Sequence, residues 1–493
     1  MNLTIAEIAQ ACGGRLVLRG EGADAGTCVK NVEIDSRKVQ PGGVFIAVEG
    51  ERVDGHRFIS DVFAKGVLLA VTRKNPEQVE TEHGCKAAGW GSYLLVEDPL
   101  QALKEIAEAY RKKLSAKIVG ITGSVGKTST KEAIAAVLAE KYCVLKTEGN
   151  LNNEIGVPLT LLSIREEHQA AVVEMGISDF GEMHRLSRMA RPDICVITNI
   201  GQSHLNNLID RDGILRAKSE IFDYMAPDGE ICLYGGDDKL NGLQEIKGHK
   251  PHFFGLGENP EEEVAAVEIT ERGLLGSDAT LVIHRTEEGE ERSLRLPVHT
   301  PLPGRHMVLN AAAAACVAEL LGLTGEEIAA GIGKISTISG RNNLIQLPRY
   351  ILIDDCYNAN PASMKAAIEL LSLADTERVA ILGDMLNLGE ESPMLHEEVG
   401  RQAIAAGADC LICVGEESRC MFRAAQRQKE EEAGSGKDIN PKILHFDDRH
   451  ELLKVLAAQG EELIPKGAAV LLKASHDMGF ADILAYLREA GAH

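Results

Sequence analysis

At 493 residues, 44% of them hydrophobic and 26% charged, the chain is too long for a single core and, at about 150 residues per domain, predicts about three domains. Its 52 Lys and Arg against 74 Asp and Glu give a net charge of -22, which repels polyanions; no basic cluster offsets it, so nucleic acid is excluded as a partner. No basic-then-apolar leader and no run of about 18 uncharged apolar residues occur, so the chain is read as cytoplasmic with no membrane partner, and its 11 scattered cysteines fit reduced thiols.

Short apolar runs, VFIAVEG and LLAVT, are separated by turn signals at Pro41–Gly43 and Asp54–His56 and predict a small α/β domain over residues 1–98. The helical pattern LQALKEIAEAYRKKL leads into a strand, KIVGIT, a glycine loop, and a helix over KEAIAAVLAEKY. Strands follow at AAVVEMG and DICVITNIG. From Val264 to Val298 apolar and polar residues alternate, which predicts a β-rich edge or insertion within a central parallel-sheet domain over 99–338. After an alanine-rich helix starting near Asn310, the runs YILIDD, ASMKAAIELL, RVAILGDM, HEEVGRQAIAA, DCLICVG and AAVLLKAS restart a strand–helix alternation. They predict a third, Rossmann-like domain over 339–493. Cys410 and Cys413 form a CxxC inside one of these strands, where positions three apart face opposite sides, so they are read as packing residues and not metal ligands. The run KEEEAGSGKD from Lys429 to Asp438 is read as a solvated loop.

Chemistry concentrates in GITGSVGKTSTKE, Gly120 to Glu132. Glycines free backbone N–H groups to wrap phosphate oxygens, the following helix N-terminus adds partial positive charge, and a lysine reaches the terminal phosphates. Gly123, Gly126 and Lys127 fit those tasks, and the Thr128 hydroxyl is placed to meet Mg2+. Ile121 stands where the common phosphate-loop pattern has its first glycine, and a strand-to-helix turn with no ligand is the alternative. Glu174 ends the strand AAVVE, where a carboxylate can hold magnesium or simply face solvent; His204 in TNIGQSHL follows a strand in the same way. The residues alone leave both open.

The motifs taken together resemble the Mur ligase family. DSR at Asp35–Arg37 and DGH at Asp54–His56 resemble its uridine-nucleotide domain, and GITGSVGKTS its own phosphate loop, displaced glycine included. NLNNEIGVPLTLL, EMG, TNIGQSH and AKSEI resemble pieces of its central domain, and DDCYNANPASM and LGDMLNLGE its carboxyl-terminal domain. Within the family these last two resemble the members that add D-alanyl-D-alanine to UDP-N-acetylmuramoyl-tripeptide. The resemblance implies an ATP- and Mg2+-dependent ligase, a monomer, whose three domains bind the UDP sugar, bind ATP, and close over the nucleotide about a hinge near Ile338–Arg341. It implies that Gly123, Ser124, Val125, Gly126, Lys127, Thr128, Ser129, His306, Asn310, Arg341, Asp355 and Tyr357 meet the nucleotide. Ser36, Arg37, Asp54, Gly55, His56, Asn152, Asn153, Asn358 and Asn360 would meet the substrates, and Thr128, Glu174, His204 and Lys218 the metal. Catalysis would fall to Lys127, Lys218, His204 and Arg341, with Lys218 carbamylated, a modification that needs a lysine whose pKa is lowered. Gly235, Met307, Asn387, Ala474 and His476 depart from the family pattern. A GTPase switch should carry an NKxD element, which is not found, and a ligase for another amino acid or a folate tail should lack DDCYNANP.

Overall fold

The first helix, Ile5–Cys12, begins where the Thr4 hydroxyl accepts the Glu7 amide while Glu7 reaches back to the Thr4 amide, and it stops at Gly13, whose φ of 60° is left-handed. The structure is a computed structural model that describes residues 1–493 except 21–22, 51–52, 85–88, 202–204, 258, 260–261, 288–289, 337–342, 357–358, 387, 435–439 and 493. Three sheets organise the described residues.

The first sheet runs Arg15–Val17, Ser92–Leu95, Leu69–Thr72, Val44–Ile46, Val32–Glu33, parallel throughout except for the antiparallel edge Arg15–Val17. The helix Pro99–Arg111 follows it, started by the Asp98 carboxylate on the Leu100 amide and by proline at a position with no amide to satisfy. Ala102, Leu103, Ile106, Ala107 and Tyr110 recur at helical spacing and are buried. They join one apolar cluster with Ile8 and Leu94 on one side and Ile118, Val173 and Ile197 on the other, so the first two sheets share a continuous core. Both lie in one compact unit, Met1–Glu268 with Thr280–Val298 and Val308–Lys334.

The second sheet has nine strands in the order Glu290–Thr300, Ser277–Glu287, Val264–Glu271, His252–Leu256, Glu230–Tyr234, Ile194–Ile197, Lys117–Thr122, Ala170–Glu174, Val144–Lys146. From Val264–Glu271 to Val144–Lys146 every neighbouring pair is parallel, and the long β-rich part expected between 264 and 298 forms the far edge. Ile194–Ile197 and Ala170–Glu174 are buried along their whole length, as strands covered on both faces must be. The loop strand Lys117–Thr122 lies between them, so the phosphate loop leaves the carboxyl end of an interior parallel strand.

The second unit, Ile269–Ala279, His299–Met307 and Ile335–His493, carries a six-stranded sheet. Its order is Asn343–Gln346, Ile351–Asp355, Ala469–Lys473, Arg378–Gly383, Cys410–Val414, Lys442–Phe446, with only the first strand antiparallel. Apolar clusters cover the two faces; Cys413 belongs to one and Cys410 to the other, as strand alternation requires.

Several element ends differ from the sequence reading. The helix after the loop is Lys127–Leu138, beginning at the loop itself, and the alanine-rich helix is Arg305–Leu320, five residues earlier than expected. Lys429–Gly434 is not loop but the last turns of the helix Ser418–Gly434, because its Lys, Glu and Ala are good helix formers and Gln428 bonds Glu432 one turn on at 2.8 Å. No helix among the described residues is long and apolar enough to cross a membrane.

Candidate active site

The turn from the strand Lys117–Thr122 into the helix Lys127–Leu138 needs two glycines. Gly123 has φ +150°, and a Cβ there would stand 1.9 Å from Thr198 Oγ1; Gly126 has φ +82° and is the helix N-cap, with no side chain to cap the first amides. The helix N-terminus is therefore open to an anion. Lys127 Nζ donates to the Gly123 carbonyl at 2.9 Å, and Lys218 Nζ, from the helix Arg211–Ser219, donates to the same oxygen at 3.1 Å. Lys218 is 1% exposed; burial, reinforced by the charge on Lys127, brings its pKa down to about 7. Burial lowers the Lys127 pKa as well, with Glu174 working the other way.

Glu174 is where its strand ends and is 1% exposed. Its Oε2 accepts from Thr128 Oγ1 at 3.0 Å, its Oε1 from Asn152 Nδ2 at 2.8 Å, and its amide donates to Thr147 Oγ1 at 3.0 Å. Carboxylate and hydroxyl oxygens side by side are the donor set that a hard cation such as Mg2+ takes, so these residues fit that ion. The structure thus brings together Gly123, Gly126, Lys127, Thr128, Glu174, Lys218 and Asn152; Ser129 follows in the first helical turn.

Other expected residues carry local tasks. Asn153 Oδ1 accepts the amides of Ile155 and Gly156 and so starts the helix Gly156–Leu162. Asn310, 7% exposed, accepts from Thr130 Oγ1 at 3.0 Å beneath the loop helix. His306 lies in the first turn of Arg305–Leu320, next to the buried Met307. In the second unit, Asn360 caps the helix Pro361–Ser372, and the Asp355 carboxylate takes the Lys473 ammonium at 2.5 Å. His204, Arg341, Tyr357 and Asn358, the departure at Asn387 and the hinge segment Ile338–Arg341 lie outside the described residues.

The two motifs of the first sheet are separately braced. Arg37 closes on Asp35 at 2.7 Å while its side chain stays 86% exposed, and Lys65 donates to the Ser36 carbonyl at 2.7 Å. Asp54 caps the short helix Gly55–Phe58 through the His56 amide. His56, fully buried, has Nδ1 2.6 Å from Asp54 Oδ1 and accepts the Arg73 amide on Nε2 at 3.3 Å, which assigns the proton to Nδ1. Burial works against ionisation of Asp54, but the His56 amide and ring and the Lys74 ammonium outweigh it and hold the carboxyl well below the usual range. Glu49, Asp54 and Glu82 together surround Lys74, at 2.9, 3.0 and 2.8 Å, so its single ammonium offsets part of the charge of three carboxylates.

Two contributors to the site have no signal in the phosphate-loop pattern. Asn199 Oδ1 accepts the amides of Ser124 and Val125 at 3.0 and 2.9 Å, which fixes the backbone of two residues expected to meet the nucleotide and engages those two amides within the loop. Lys131, fully buried on the loop helix, lies 3.9 Å from Glu174 Oε2.

A parallel sheet, a glycine loop opening on a helix N-terminus, a lysine at that loop and an adjoining hydroxyl–carboxylate pair define a nucleotide-using α/β protein of the phosphate-loop class. Three family models match in succession: the Mur ligase family catalytic domain at residues 29–111, the Mur ligase middle domain at 121–318 and the Mur ligase glutamate ligase domain at 340–476. The UDP-N-acetylmuramoyl-tripeptide--D-alanyl-D-alanine ligase of Bacillus subtilis (strain 168) is 34% identical over 467 residues, 94% of each chain. A crystal structure of MurF from Acinetobacter baumannii superposes with a TM-score of 0.79 at 31% identity over 99% of both chains. That of the MurF ligase from Thermotoga maritima in complex with ADP gives 0.64 at 27% identity, covering 94% of this chain and 97% of the other. The chain belongs to the Mur ligase family.

Proposed function

We propose that this chain is the ATP-dependent ligase that joins D-alanyl-D-alanine to UDP-N-acetylmuramoyl-tripeptide in peptidoglycan biosynthesis, a cytoplasmic step. The observation that carries the reading is the convergence of Lys127, Lys218 and the Thr128–Glu174 pair on one loop at the carboxyl end of the sheet. The full-length similarity to ligases of that name supports the choice of substrates. Three domains, over 1–98, 99–338 and 339–493, divide the work between the UDP sugar, ATP and the incoming dipeptide.

A carboxylate resists amines because its charge is delocalised and oxide is a hopeless leaving group. Transfer of the ATP γ-phosphoryl to the terminal carboxylate of the tripeptide gives an acyl phosphate and ADP; the amine of the dipeptide then attacks the acyl carbon, and inorganic phosphate departs. Lys127 and the open helix N-terminus offset the charge that gathers on the transferring group. A magnesium ion held by Thr128 and Glu174 would add to that neutralisation, with His204 as a further ligand. Lys218, with a pKa of about 7, is substantially neutral near pH 7 and in that form can take up carbon dioxide as a carbamate, an anionic group suited to a second cation. Arg341 is assigned to the phosphate and Tyr357 to the nucleotide, with Asn358 at the dipeptide.

The test is phosphate release with ATP, a UDP-muramoyl tripeptide and D-alanyl-D-alanine, omitting one component at a time. Release should need all three, and oxygen-18 placed in the tripeptide carboxylate should appear in the liberated phosphate. Release indifferent to the dipeptide would refute ligation.

A further inference from the structure

Lys131 sits one helical turn beyond Lys127, yet it is fully buried. Burying an ammonium is costly unless it is hydrogen-bonded and faces opposite charge, and here both hold. Nζ donates to the Thr147 carbonyl at 2.7 Å and lies 3.2 Å from Glu132 and 3.9 Å from Glu174 Oε2. Glu132 is itself paired with the surface residue Lys146, so charges alternate from Lys146 through Glu132 and Lys131 to Glu174.

Thr147 links the two ends of this arrangement. Its carbonyl takes Lys131, its hydroxyl takes the Glu174 amide, and its own amide donates to Val172 at 3.0 Å. Glu174 is consequently held at its backbone by Thr147, at Oε1 by Asn152, and at Oε2 between Thr128 and Lys131. A positive charge this close lowers the negative potential that a metal ion would feel. Any benefit of Lys131 to metal binding must therefore come from orientation and not from charge.

We propose that Lys131 is a positioning residue for divalent-cation binding: anchored on Thr147 and Glu132, it keeps Glu174 Oε2 turned toward Thr128 so that the ion meets a carboxylate already in place. This rests on the reading of Thr128 and Glu174 as the metal-holding pair. Groups that orient a metal ligand in this way are typically worth 10- to 100-fold in affinity.

The experiment titrates Mn2+ into the full chain with ADP present and follows free Mn2+ by electron paramagnetic resonance. K131M is expected to weaken Mn2+ binding about tenfold or more, K131R to recover part of the loss, and Thr147→Val, which frees the Glu174 amide but leaves the carbonyl under Lys131, to weaken it less than K131M. Thermal unfolding of each variant separates folding defects from binding defects; if K131M does not fold, K131R and Thr147→Val carry the test. Unchanged or tighter binding in the folded variants would overturn the inference. E174Q serves as the reference: if it leaves Mn2+ affinity unaltered, the metal-holding pair itself is wrong, whereas a loss in E174Q without one in K131M removes Lys131 alone.

Discussion

Lys127 and Lys218 place their ammonium groups on a single acceptor, the Gly123 carbonyl, at 2.9 and 3.1 Å. Burial pulls both groups toward their neutral forms; at Lys218 the charge on Lys127 adds to it, and at Lys127 Glu174 opposes it.

Removing Lys127 should therefore change the chemistry of Lys218. In K127M the Lys218 pKa rises from about 7, since one of its two depressing causes is gone. Carbamate forms from the neutral amine, so the half-point of carbamate formation, followed by 13C resonance in labelled bicarbonate, moves to higher pH. Phosphate release by K127M falls by roughly 100-fold or more, the loss expected when a charge aimed at a transition state is deleted. An unmoved half-point would show that Lys127 exerts no influence on its neighbour.

Gly123→Ala tests the turn. The added Cβ would stand 1.9 Å from Thr198 Oγ1 on a backbone with φ +150°, and Thr198 cannot withdraw freely because its hydroxyl donates to the Val125 carbonyl at 2.7 Å. The expected result is a cost of about 1–3 kcal/mol and loss of ADP binding by calorimetry. Adding Thr198→Ala relieves the clash but not the φ, so it restores only part of the stability. Full binding by the single variant would mean the loop is not held as described.

How much of this was legible beforehand depends on the range over which a residue acts. Gly123, Gly126, Lys127 and Thr128 were legible because the loop's demands are local: a turn, a close approach, a helix start. Glu174 and Lys218 were legible as residues, but their meeting with the loop depends on parallel strands closing over 46 and 95 positions of sequence. The bonds of Asn199 to Ser124, 75 positions away, and of Lys473 to Asp355, 118 away, were not legible, although Asn199 lies within TNIGQSH, because an asparagine after a strand or a lysine at a strand end looks like an ordinary solvated group until the partner is in place. Lys131 was hidden by periodicity: four residues after Lys127, it reads as the next exposed lysine of an amphipathic helix.

The Asp355–Lys473 pair gives a prediction for the second unit. The two are register partners on adjacent parallel strands, and both are buried. Breaking such a pair from one side takes the bonded ammonium away from a buried carboxylate, so K473M should cost about 3–5 kcal/mol, seen as faster hydrogen exchange along Ile351–Asp355 and Ala469–Lys473. The double variant D355L/K473M should recover most of it. Equal exchange in K473M and the parent chain would contradict the pairing.

Glu262 supplies a pH dependence with a definite sign. It is 3% exposed, its Oε2 has no hydrogen-bond partner among the described residues, and it lies over two glycines: a Cβ on Gly235 would come within 2.7 Å of Oε1 and one on Gly255 within 2.0 Å. Burial pushes its pKa up to about 7 from 4.5, only partly opposed by Asn259 and assisted by Glu263. Between those two values the folded chain binds more protons than the unfolded one, so stability falls as pH rises from about 4.5 to about 7 and levels off above. Glu262→Gln cannot ionise and removes that decline. Its stability relative to the parent chain should therefore grow with pH, by up to about 3 kcal/mol between pH 5 and 8.5, offset by a constant penalty of about 1 kcal/mol if the amide nitrogen is also left without a partner. Urea midpoints of both chains measured across that range decide it: a difference that does not change with pH would mean Glu262 titrates as an ordinary surface carboxylate.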